Sequence, residues 1–67
     1  RGMNLTLEGT DHLTYWTSEI SEYRHHESDG TWEKLVGPAW VIVSETVELD
    51  RAANDVVRAE GLLFKAN

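Results

Sequence analysis

Three histidines and a dense set of carboxylates are the residues of this 67-residue chain best suited to chemistry. His25, His26 and Glu27 are consecutive, Asp29 follows closely, and His12 lies further back. Imidazole and carboxylate donors together hold zinc without any cysteine. Adjacent histidines, however, point in different directions on either a helix or a strand, so this spacing does not force convergence. A helical reading gives better geometry. Tyr15, Glu19, Glu22 and His26 fall at steps of four, three and four, a polar ridge on which Glu22 and His26 sit one turn apart. Such a pair would bind a metal or tune the imidazole's proton affinity. A solvated helix face running into a polar turn explains the same residues more simply, and that reading is preferred. The chain has no glycine-rich phosphate loop, no Gly-x-Ser-x-Gly elbow and no Cys–His pair. The expectation is a non-enzyme with no catalytic residues, no metal and no cofactor.

The second group with chemical potential is aromatic: Trp16, Trp32, Trp40, Tyr15, Tyr23 and Phe64. Tryptophan anchors binding hot spots, and exposed rings beside carboxylates stack on sugars. In so short a chain the same rings are also the most economical way to fill a core. Trp40, within the most apolar segment, and Trp16, on an apolar stripe, are assigned to the core. Trp32, followed by Glu33 and Lys34, is the candidate for partial exposure, although core or rim packing is preferred even there.

Charge narrows the range of partners. The net charge is −6. From Glu8 to Glu33 there are seven acids against one base, Arg24, whereas the segment from Lys34 onward holds four bases and five acids. Nucleic acids are bound through Lys and Arg neutralising phosphates, and six scattered bases make no such surface. Direct nucleic-acid binding is therefore not expected, and anionic membranes are disfavoured for the same reason. The complement is another protein with a basic surface, met by Glu19, Glu22, Asp29, Trp32 and Glu33. The plainer alternative is that excess acid simply keeps a small protein in solution.

These side chains must be positioned by few elements. Sixty-seven residues, 40% of them apolar, form one small domain spanning 1–67, with Arg1-Gly2 reading as a tag remnant ahead of an initiator Met3. Such a chain buries only roughly 60% of the surface it exposes unfolded. No cysteine is present, so no disulfide helps, and a reducing, cytoplasmic location suits the chain. The longest apolar run, Pro38 to Val43, is far short of the roughly 20 residues of a membrane span.

Met3 to Glu8 alternates apolar and polar side chains and reads as a strand ended by Gly9. Over 10–26, Leu13, Trp16, Ile20 and Tyr23 recur at helical steps, although Thr14, Tyr15, Trp16, Thr17 and Ile20 favour strands. Periodicity is given precedence and a helix is expected, with a strand as the alternative. Glu27-Ser28-Asp29-Gly30 is a turn, with Gly30 at positive φ and Asp29 bonding locally. Thr31 to Val36 is a strand, Gly37-Pro38 punctuates it, and Ala39 to Val43, apolar on both faces, reads as a central strand. A helix from about Arg51 to Glu60 follows, with Asp50 as N-cap, Gly61 as the C-terminal left-handed residue and Leu62 packing back on Val57.

The expected class is α+β: a three- to four-stranded, mainly antiparallel sheet covered by the C-terminal helix and a second helix, in the order β-α-β-β-α or as a meander followed by a helix. The expected function is a non-catalytic, acidic protein-binding module or regulator engaging a basic partner surface. The alternatives are a nucleic-acid-mimicking inhibitor of a DNA- or RNA-binding protein and a homo-oligomeric structural protein, so that a homodimer enters the list of partners.

Overall fold

The computed structural model describes residues 5–10 and 13–61. Five strands, β1 (Glu8–Thr10), β2 (Tyr15–Thr17), β3 (Glu22–His26), β4 (Thr31–Val36) and β5 (Ala39–Val43), precede one helix, α1 (Val47–Ala59). The strands form a single antiparallel sheet in the order β1-β2-β3-β4-β5. The α+β class is as expected. The sheet has five strands rather than three or four, and the described residues contain no second helix.

The segment over 10–26 is a hairpin, β2–β3, and its register explains the deceptive spacing. Trp16 pairs with Tyr23 and Thr17 with Glu22, so even positions on β2 share a face with odd positions on β3. The two-residue tip Glu19-Ile20 makes this parity change. Two facing apolar side chains seven apart then imitate a helical stripe, although the local strand preference was the better guide. Ser18 and Ser21 hold the tip: Ser18 N–H donates to the Ser21 carbonyl (2.8 Å), and Ser18 Oγ accepts from Ser21 N–H (3.0 Å). Serine offers the backbone such alternatives to helical bonding.

The inner face of the sheet carries Trp16, Tyr23, His25 and Trp32, all buried. Trp32 is 0% exposed, so the core reading of this ring holds and its candidacy for partial exposure does not. Its ring centroid lies 4.6 Å from His25, 6.0 Å from Trp16 and 6.3 Å, edge-on, from Tyr23. Such offset or tilted packing suits the aromatic quadrupole. Leu49, Ala52, Ala53 and Val57 of α1 close over this cluster. Their spacing is one helical stripe, and the two alanines leave room for the indoles beneath.

The helix starts at Val47, earlier than expected, with Thr46 at its N-cap. Asp50, read as the cap, lies inside the first turn. There it accepts hydrogen bonds from Trp32 Nε1 at 2.8 Å and from Thr46 Oγ1 at 3.2 Å, tying helix to sheet through the polar edge of the central indole. Gly61, at φ +75, takes the expected left-handed position after the helix. Leu62 lies outside the described residues.

Three further expectations are corrected. The first strand is Glu8–Thr10 rather than Met3 to Glu8; Leu5 to Leu7 precede it, and Met3 and Asn4 lie outside the described residues. Gly9 does not end the strand but sits within it, opposite Trp16. A Cβ there would stand 2.9 Å from Trp16 Cζ3, so the ring demands glycine. Ala39–Val43 is an edge strand, not a central one. The two turns around β4 follow the sequence reading: Gly30 has φ +77, Gly37 has φ +60, and Asp29 Oδ1 accepts from Thr31 N–H and Thr31 Oγ1. No helix among the described residues is long and apolar enough to cross a membrane.

Candidate functional site

Two surfaces gather chemistry-bearing side chains, one on each face of the sheet. On the outer face, β3 presents Glu22, Arg24 and His26, and β4 presents Glu33. Glu33 Oε1 accepts from Arg24 Nη2 at 2.7 Å and pairs with His26 Nε2 at 2.6 Å. Hydrogen bonds from His26 and Arg24 hold the Glu33 carboxyl below its ordinary range. The Arg24 guanidinium also lies over the Trp40 ring at 4.5 Å, and Trp40 lies 6.2 Å from Tyr15. Trp40 is therefore half-buried on the solvent side of the sheet, which corrects its assignment to the core. Glu33 is thus neutralised within this cluster by its own cation, Arg24.

The inner face is covered unevenly. α1 closes over Trp16 and Trp32, while the sheet beside Tyr23, Lys34 and Val43 stays open as a groove of about 440 Å³. Leu5, Ile20, Tyr23, Val43 and Leu49 supply its apolar lining. Around them stand three carboxylates from separate places in the chain: Glu19 from the β2–β3 tip, Glu45 from the β5–α1 connection and Glu48 from the first helical turn. Lys34 is the only base among the lining residues. All three acids are exposed, as is Ile20 at 75%. The geometry is that of a concave, apolar floor with a negative rim, suited to an apolar side chain flanked by cations.

The residues expected to meet a partner do not form one patch. Glu19 lies at the groove. Glu22 is exposed on the outer face at the same end of β3. Asp29 is in the β3–β4 loop, at the opposite end of that strand, engaged by Thr31. Glu33 is neutralised, and Trp32 is inside. The supposed helical pair Glu22 and His26 lies at the two ends of β3, about 13 Å apart along an extended strand. Among the described residues no three His, Asp or Glu side chains gather as metal ligands; His12 lies outside them.

Glu45 and Glu48 were missed because the C-terminal half is nearly neutral by count. Their one signal was position, beside a helix start, where the macrodipole favours carboxylates. No protein-family model, curated protein or solved structure shows significant similarity to this chain.

Proposed function

We propose that the protein is a non-catalytic binding module whose groove receives a segment of another protein, one apolar side chain seated on Tyr23 and Val43 with Lys or Arg on either side. One observation carries this reading: carboxylates from two distant stretches, Glu19 and the neighbouring Glu45 and Glu48, line one apolar groove that contains a single lysine. Carboxylates around such a floor raise the encounter rate with a basic partner and fix its orientation. The apolar floor supplies the affinity that exposed ion pairs alone do not.

The test is titration with synthetic peptides of the form basic–Leu–basic, followed by backbone NMR shifts. The expected result is shifts confined to Ile20, Tyr23, Val43 and the residues around Glu45 and Glu48. The triple variant Glu19→Gln, Glu45→Gln, Glu48→Gln should weaken binding by about tenfold at low salt. Shifts centred on Tyr15 and Trp40, or an unchanged affinity in the triple variant, would refute the groove as the site.

A further inference from the structure

The two edges of the sheet are unlike. β1 is three residues long, begins with Glu8 and lies under α1. β5 is five residues long, Ala39-Trp40-Val41-Ile42-Val43, with no charged side chain and nothing among the described residues hydrogen-bonded along its outer side. Natural edge strands are usually blunted by charge, bulges or a cover. This one is bare.

The backbone register fixes which groups it presents. Val36 pairs with Ala39 across the two-residue turn Gly37-Pro38, so Ala39, Val41 and Val43 direct their N–H and C=O toward β4. Trp40 and Ile42 therefore direct theirs outward. The same two residues point their side chains to the outer face. Val41 (46% exposed) and Ile42 (71% exposed) place apolar groups on both faces of this edge. The Trp40 ring leans over Arg24 toward Tyr15, away from the edge, and leaves it clear.

We propose that β5 pairs with β5 of a second copy, antiparallel about a two-fold axis at Val41, to give a continuous ten-stranded sheet. A second copy is the occupant because the edge complements itself. About that axis Trp40 faces Ile42 of the other copy and Ile42 faces its Trp40, so all outward N–H and C=O groups of these residues find partners. On the outer face each Ile42 then lies beside the Cβ end of the other copy's Trp40, whose ring stays back over Arg24. Val41 meets its own symmetry mate on the inner face. Shifting the axis to Trp40 would bring Ile42 against Pro38, which has no N–H to donate, so the sequence disfavours that register. Both copies are isologous at this contact, as a closed two-fold dimer requires. Each copy carries −6, so added salt, which screens that repulsion, strengthens this association while it weakens binding of a basic segment in the groove.

The experiment is amide hydrogen exchange by NMR together with sedimentation equilibrium, at about 10 μM and about 1 mM protein, where a weak edge contact passes from mostly open to mostly paired. Trp40 and Ile42 amides should slow about tenfold on concentration, in step with a monomer-to-dimer shift, while β4-facing amides stay protected throughout. Ile42→Pro removes an outward donor without touching the β4 ladder, and Ile42→Lys places a charge on the edge. Both should stay folded and monomeric at the higher concentration. A chain monomeric at 1 mM, a dimer unaffected by either folded variant, or Trp40 and Ile42 amides that exchange alike at both concentrations would overturn the proposal. Protection of these amides only on adding an unrelated strand-forming peptide would assign the edge to a different partner and overturn it equally.

Discussion

Trp32 and Trp40 lie on neighbouring strands, eight residues apart, and the two faces of the sheet use them in opposite ways. Trp32 is sealed beneath α1, ringed by Trp16, Tyr23 and His25, with its one polar atom bonded to Asp50. Trp40 lies flat on the solvent side, a platform for Arg24 and Tyr15. An indole inside must satisfy its N–H and match its neighbours in shape. An indole outside need only offer a face. The inner face therefore fixes the fold, and the outer face tolerates change.

Substitution is the strongest way to break that contrast. Trp32→Ala should cost about 3–5 kcal/mol, comparable with the whole stability of so short a chain, roughly 3–10 kcal/mol. The variant should be largely unfolded by far-UV circular dichroism. Trp40→Ala, which loses half-buried surface and a cation–π contact, should cost only about 1 kcal/mol in urea unfolding. Equal losses at the two positions would erase the distinction.

Gly9→Ala probes the inner face without removing a ring. Its Cβ would meet Trp16 Cζ3 at 2.9 Å, and forced overpacking of this kind costs about 1–3 kcal/mol. Pairing the change with Trp16→Phe, which shortens the opposing ring, should recover part of the loss. Full additivity of the two changes would mean that the ring does not demand glycine.

Protonation gives the smallest and finest test. Burial pushes the His25 pKa down, against the pull of the nearby Asp50. The unfolded chain then binds a proton more readily than the folded one. The stability tied to neutral His25 is thus fully present above about pH 6.5 and falls as pH drops below that value. Glu33, held low by His26 and Arg24, contributes stability that is present above its ordinary range near 4.5 and lost as pH falls through its lowered value. Glu33→Gln should remove the lower limb of the stability profile and leave the upper limb in place. His25→Gln should do the reverse. A variant profile parallel to the wild type at every pH would show that neither group is linked to folding.

Much of this contrast is legible in the sequence, though not all. Turn chemistry was explicit: Asp29-Gly30 and Gly37-Pro38 bracket β4 as their residue types dictate. The helix announced itself through Leu49, Ala53 and Val56. The hairpin over 10–26 was hidden because a tight turn changes strand parity, which local periodicity cannot distinguish from a helical repeat. The sequence misplaces Trp40 and makes Trp32 a candidate for exposure because burial follows from which side a helix covers, not from the polarity of sequence neighbours such as Glu33 and Lys34. The groove was invisible for a related reason: Glu19, Glu45 and Glu48 meet only after the sheet and helix have formed. Summed charge pointed to the N-terminal half, and the fold divided that half between two faces and two ends.

The place of α1 at the C-terminal end of the described chain has a consequence for synthesis. All strands are joined to their chain neighbours by connections of two to four residues, so the sheet can zip locally as it is made. Its cover comes last. Until α1 has emerged, Trp16, Trp32 and His25 face water and the bond from Trp32 to Asp50 has no acceptor. A nascent chain halted before residue 47 would be an open apolar sheet with two unguarded edges, the species most in need of a chaperone.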